Sequence, residues 1–236
     1  VANLDLTGSP TLRVRAIDNA GNASAVLGSQ AITYVAGPPV GTTGLSLQSV
    51  SSGALDANPA DGTTNVASGS VVFAYSGANL AAGERWQYAL DTSGTWLEVP
   101  GGAVNTTAKT VTLSGLSLSA NPNVQLRVAD AVGNATGTLI SQAISYDNTA
   151  PTGGTGLAFT SVSSGTQDSA PTDATTNQAS GSVVFGYTGA NLGSGERFQY
   201  TVDGSTWVDV ANANVNTTNK TVMLSSLNLT TSPTVQ

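Results

Sequence analysis

Residues 68–90 read SGSVVFAYSGANLAAGERWQYAL, and residues 180–202 read SGSVVFGYTGANLGSGERFQYTV. The first half, SVVFAY, is a short run rich in β-branched and aromatic residues, bounded by Gly and Ser. The last half, ERWQYAL, alternates. Trp86, Tyr88 and Leu90 point one way, and Arg85, Gln87 and Ala89 the other. Two strands joined by a glycine-containing loop are therefore expected, and the pair occurs twice.

The echo extends outward from this stretch. From Thr43 and from Thr155, 112 positions apart, 31 of 48 aligned residues agree. One residue is then lost in a turn (DTSGTW against DGSTW), and the match resumes in AVNTTAKTVTLSGLSLSANPNVQ against ANVNTTNKTVMLSSLNLTTSPTVQ. The start of the chain, LDLTGSPTLRVRAIDNAGNASAVLGSQAITY, matches LSLSANPNVQLRVADAVGNATGTLISQAISY. A fixed period of this length signals a tandem array. The register divides the chain into residues 1–40, the last strands of one repeat; 41–150, a complete repeat; and 151–236, a repeat without its last strands. That register, and an opening VANLDLTGSP with neither the basic nor the apolar region of a signal peptide, read the chain as an internal piece of a longer one. The other expectation is strand exchange, with the N-terminal tail completing the open third repeat of another copy.

Within each repeat no segment keeps a helical period for three turns. TVTLSGLSL is a second β-rich run, and VQLRVAD puts Val124, Leu126 and Val128 on one face. About seven strands with frequent turn signals predict an all-β fold of tandem Ig-like antiparallel sandwiches. The hinges are VAGPPVGTTG (35–44) and DNTAPTGGTG (147–156), where Pro beside Gly limits backbone freedom.

Composition narrows function. The 236 residues hold 27 Gly, 9 Pro, no Cys and no His, and only 9% are charged, against roughly 25% in an average globular protein. A Ser-His-Asp triad, a Cys nucleophile and an ordinary zinc site are excluded by residue type. No disulfide braces the domains. A net charge of −7 disfavours nucleic acid, and no run of about 18 apolar residues spans a membrane. Any metal should be hard and oxygen-liganded, with calcium first. An enzyme is not expected, since no carboxylate pair in a recognisable motif recurs with an acid–base partner, although Glu84 and Glu196 are available.

VRAIDNAGNAS followed by AITY, LRVADAVGNAT followed by AISYDNTAPT, and WQYALDTSGTWLEV resemble the bacterial Ig-like repeats of giant surface adhesins. In that family an Asp-x-x-Gly-Asn loop joins the last strands and a linker of the form Asp-x-Thr-Ala-Pro follows. The resemblance covers essentially the whole chain. It implies an extracellular sandwich at the bacterial cell surface, often rigidified by calcium near domain junctions, with neighbouring repeats as partners.

Asp18 to Asn22 and Asp130 to Asn134 each fit a hairpin loop between the last two strands, F and G. Asp there either caps a turn, with Gly supplying positive φ, or ligates a metal. In a sandwich the BC loop, GANLAAGER (77–85), shares that end, so Glu84 could approach Asp130 and Asn134. The AB loop, ALDANPADG (54–62), places Asp56 and Asp61 beside the linker Asp147, and across the linker the next BC loop brings Glu196. These residues, with Asp18, are the candidate calcium ligands. Val35 stands where Asp147 stands, so the first junction is expected to bind more weakly.

The remaining recurrent residues have plainer readings. Trp96 and Trp207 suit packing, or a sugar-stacking platform for a surface glycan. Trp86, which becomes Phe198, suits core filling. Lys109 and Lys220 suit an exposed strand edge that discourages pairing, with an isopeptide link to Asn as the alternative. The Asn-x-Ser/Thr triplets at Asn22, Asn105, Asn134 and Asn216 follow from composition.

Overall fold

A computed structural model describes residues 3–40, 42–91 and 93–236. Val1, Ala2, Gly41 of the first linker and Thr92 of the DTSGTW turn lie outside the described residues. The chain divides into two compact units, Val1–Asn148 and Thr149–Gln236.

The first unit begins with a hairpin of β1 (Thr11–Val14) and β2 (Gly28–Ala31). Its sandwich is built from β3 (Ser46–Val50), β4 (Thr63–Thr64), β5 (Ser68–Ala74), β6 (Arg85–Leu90), β7 (Leu97–Glu98), β8 (Val104–Asn105), β9 (Thr110–Ser117), β10 (Asn123–Ala129), β11 (Ile140–Ala143) and β12 (Ser145–Tyr146). One sheet has the order β3-β5-β9-β8 and the other β11-β10-β6-β7. With β3, β5, β6, β9, β10 and β11 in the places of strands A, B, C, E, F and G, this is the immunoglobulin-type arrangement. The short β4 and β12 form a parallel ladder, Ser145 opposite Thr63 and Tyr146 opposite Thr64. Helix among the described residues is confined to three-residue 3-10 turns.

The alternation read from the sequence becomes the core. Val71 and Phe73 of β5 and Val111 and Leu113 of β9 face Trp86 of β6 and Val124, Leu126 and Val128 of β10 in one cluster that joins both sheets. Val71, Phe73, Val111, Val124, Leu126 and Val128 are fully buried. The ring of Tyr75 packs on Trp86 at 5.6 Å between centroids.

The second unit repeats the plan with β13 (Ala158–Val162), β14 (Ser180–Gly186), β15 (Gln199–Tyr200), β16 (Val208–Asp209), β17 (Val215–Asn216) and β18 (Thr221–Asn228). Its first sheet, β13-β14-β18-β17, matches β3-β5-β9-β8, and β15-β16 matches β6-β7. Local irregularities recur too. The register shifts between Gly69 and Val71 and again between Gly181 and Val183. A Cβ on Gly69 would stand 2.4 Å from the Cβ of Ser51, and one on Gly181 2.5 Å from that of Ser163, so each bulge requires glycine. Tyr187 packs on Phe198 at 5.5 Å, as Tyr75 does on Trp86. The core of this unit is less closed: Phe185 is half-buried where Phe73 is fully buried.

Candidate functional site: the joint ahead of each sandwich

The recurrent polar residues gather at the end of the sandwich that carries the β5–β6 and β10–β11 loops. Each first satisfies its own loop. Asp130 Oδ1 accepts the N–H groups of Val132 and Asn134, at 3.0 and 2.8 Å, and Oδ2 accepts Asn134 Nδ2 at 2.9 Å. Asp18 does the same with Ala20 and Asn22. Gly21 and Gly133 take φ of 88° and 96°, which only glycine adopts easily. Hydrogen bonds from the Asn22 side chain and backbone hold the Asp18 carboxyl below its usual range. Desolvation pushes Asp130 up, and the donors from Asn134, Val132 and Gly133 outweigh it, so it too lies low. Asp-x-x-Gly-Asn is a self-capped turn in both copies.

Four of the five other predicted ligands also cap loops. Glu84 accepts from Ala81 N–H at 2.9 Å while its own N–H donates to the Ala81 carbonyl, and Glu196 does the same with Gly193. Asp56 accepts from Asn58 N–H and Asp61 from Thr63 N–H. Asp147 N–H donates to the Thr64 carbonyl at 2.8 Å. The parallel ladder thus carries Asp61 ahead of β4 and Asp147 beyond β12, at opposite ends rather than side by side. Glu84 and Asp130 do line one surface cavity of about 380 Å³ together with Pro38, Pro39, Ala81 and Val132. Among the described residues, no group of three or more acidic side chains is placed to hold a metal. Calcium asks for six to eight oxygens, backbone carbonyls and water among them.

What these loops grip is the chain that enters them. Asn134 Nδ2 also donates to the backbone carbonyl of Val35 at 3.1 Å, so the side chain at position 35 is immaterial to the contact. Pro39 is buried. The Thr43 carbonyl accepts the N–H groups of Ser76 and Gly77, both at 3.1 Å. In the second unit the Thr155 carbonyl accepts from Thr188 and Gly189, and Gly154 N–H donates to Ala190. A linker is therefore anchored to the β5–β6 loop, or its β14–β15 equivalent, of the sandwich that follows it.

Lys109 and Lys220 belong to this joint, not to an exposed edge. Each is half-buried at positive φ. Lys109 Nζ donates to the Gly77 carbonyl at 2.8 Å and lies 5.5 Å from the Tyr75 ring centroid. Lys220 repeats this with Gly189 and Tyr187, at 2.6 and 5.3 Å. Tyr75 and Tyr187 hydroxyls in turn donate to Asn79 and Asn191. The signal in the sequence was the recurrence of Lys after Asn-Thr-Thr together with the recurrent Gly-Ala-Asn.

Away from the joint, Trp96 is half-buried with Arg127 stacked 4.2 Å from its ring centroid, while Trp207 is 50% exposed. Asn105 and Asn216 cap turns through Oδ1. No helix among the described residues is long and apolar enough to cross a membrane.

No family model matches the sequence, and no curated protein matches it. Among solved structures, the chain is similar to the crystal structure of the chicken CNTN1 FN1-FN3 domains. That similarity has 12% identity and a TM-score of 0.40, and it covers 92% of this chain and 67% of that one.

Proposed function

We propose that the chain is a run of spacer repeats, from the stalk of a bacterial cell-surface adhesin or an extracellular fibre. The observation that carries this reading is the joint. The entering linker is held by a buried Pro39, by two N–H groups on the Thr43 carbonyl and by Asn134 on Val35. A linker so held has few backbone torsions left to swivel, which suits an element that transmits length and force. Partners are the adjoining repeats. The charge-poor, neutral-polar surface gives little that binds anything else tightly. The role is non-enzymatic, and the stiffness comes from these linker contacts.

Pulling on a tandem array of the residue 35–146 repeat tests this. Sandwiches with terminal strands clamped on both sheets should rupture one at a time. Each event should release roughly 35 nm, from about 0.35 nm per extended residue less the folded length. Smooth extension at low force would show that the repeats carry no load.

A further inference from the structure

Composition supplies Asn-x-Ser/Thr triplets freely in this chain, and the structure sorts them. Six occur, at Asn22, Asn105, Asn134, Asn216, Asn219 and Asn228. Such a triplet accepts an N-linked sugar only where the asparagine Nδ2 is free to attack and the hydroxyl two residues on is open to the transferring enzyme. In the Asp-x-x-Gly-Asn loops both groups are taken. Asn22 Nδ2 donates to Asp18 Oδ2 at 2.8 Å, and the Ser24 hydroxyl accepts Ala16 N–H while donating to the Ala25 carbonyl. Asn134 Nδ2 donates to Asp130 and to Val35, and the Thr136 hydroxyl accepts Val128 N–H at 3.1 Å. Bridges between Ile17 and Ala23 and between Ala129 and Ala135 also tie down the central residue of each triplet. Two more triplets are closed differently. The Thr230 hydroxyl donates to Asn228 Oδ1 at 2.7 Å, and Leu229 between them is buried. The centre of the Asn219 triplet is Lys220, half-buried and bonded to the Gly189 carbonyl.

Asn105 and Asn216 differ from all of these, and they hold the same place in both units. Each ends a two-residue strand, β8 or β17, and opens the turn into β9 or β18. Asn105 Oδ1 accepts the N–H groups of Thr107 and Ala108, at 3.1 and 2.8 Å, and Asn216 Oδ1 accepts those of Thr218 and Asn219 at the same distances. The amide is thus held by its oxygen alone. Its nitrogen and the hydroxyls of Thr107 and Thr218 have no hydrogen-bond partner among the described residues. All three residues of each triplet are exposed.

We propose that Asn105 and Asn216 are acceptor sites for an N-linked sugar. The donor is a sugar whose anomeric carbon is joined to the phosphate of a nucleoside diphosphate or of a lipid diphosphate, and a transferase carries out the step. Nδ2 bonds to the anomeric carbon as the bond from that carbon to the phosphate oxygen breaks. The diphosphate leaves with the electron pair, and Nδ2 gives up one proton to a base of the transferase. Nothing is oxidised or reduced. The bonds to Oδ1 survive the transfer, because the reacting atom is the nitrogen, so the turn that leads to Lys109 or Lys220 is kept. The sugar adds a bulky hydrophilic group at a hairpin tip of a chain with only 9% charged residues.

The test is transfer to the folded 236-residue chain, with sites mapped by mass spectrometry of its proteolytic peptides. One arm uses a soluble N-glycosyltransferase with uridine-diphosphate glucose. The other uses a membrane oligosaccharyltransferase with a lipid-diphosphate oligosaccharide. Each enzyme is first shown to be active on a short acceptor peptide. The expected result is sugar on Asn105 and Asn216 from at least one donor, which also tells the two donor classes apart. Transfer there should be at least about tenfold faster than at Asn22 and Asn134, where hydrogen bonds must first be given up. Thr107→Val, at an exposed turn position, should leave the melting curve unchanged, abolish transfer to Asn105 and spare Asn216. Sugar on neither asparagine with either donor, equal rates at Asn22 and Asn134, or a Thr107→Val variant that still accepts sugar on Asn105 as the parent does, overturns the proposal. None of these results touches the spacer reading, which rests on the joint.

Discussion

Leu126 and Val14 occupy the same place in the repeat, yet only one is inside a core, and replacing each by Ala measures what that difference is worth. Leu126→Ala removes three carbons from a fully buried site between two sheets. At about 0.8 kcal/mol per buried methylene the transfer loss is about 2.4 kcal/mol. A cavity of about 70 Å³ left by sheets that cannot collapse adds up to about 1.7 kcal/mol. The expected cost is about 3–4 kcal/mol, which lowers the urea midpoint of the first sandwich by about 2 M for a slope near 1.5 kcal/mol/M. Val14→Ala, on the exposed hairpin, should cost less than about 0.5 kcal/mol. The assay is tryptophan emission in a Trp207→Phe background, where Trp86 and Trp96 report the first sandwich alone. Comparable midpoint shifts for the two variants, or a Leu126→Ala loss below about 1 kcal/mol, would refute the assignment of β10 as the strand that closes the core.

Other outcomes follow from the same contacts. Gly154→Ala should destabilise the second unit by more than about 2 kcal/mol in thermal denaturation, because its Cβ would stand 2.6 Å from the Phe198 ring at a φ of +66°. Gly94→Ala, at φ +69° with open space around it, should cost only about 1 kcal/mol. Lys109→Met should destabilise the first sandwich by about 1–2 kcal/mol in urea denaturation, through loss of the Gly77 bond and the Tyr75 contact. Stability should be flat from about pH 5 to 8, because the chain has no His. It should fall below about pH 4. Asp18, Asp130 and Asp203, the last held down chiefly by the Thr206 and Ser205 N–H groups, have native carboxyls depressed below their unfolded values. Their contribution is present above the unfolded value and lost as they protonate. A midpoint that moves between pH 5 and 8 would contradict this.

The sandwich was legible because its signals are periodic. Alternation in ERWQYAL and VQLRVAD places Trp86, Leu126 and Val128 inside, and the 112-residue echo locates the strands twice. The joint was legible only in part. The sequence puts Glu84, Asp130 and Asn134 on the correct loops, but an acid in a loop suits a cation and a turn equally. The choice is made by whether its own backbone N–H groups come within reach, as they do for Glu84 at Ala81 and Asp130 at Asn134. Asp61 and Asp147 separate because a two-residue parallel ladder intervenes, and two residues are too few to show a period. Lys109 turns inward because its backbone is left-handed, which a non-glycine residue does not advertise.

The most direct test of the spacer account is small-angle scattering from arrays of one to four repeats, linkers included, in chelator and again in calcium. Docked linkers predict a maximum dimension that grows by the same increment with each repeat added, with or without the ion. Growth closer to the square root of the repeat number, or growth that becomes linear only with calcium, would contradict a joint held by Thr43, Pro39 and Asn134.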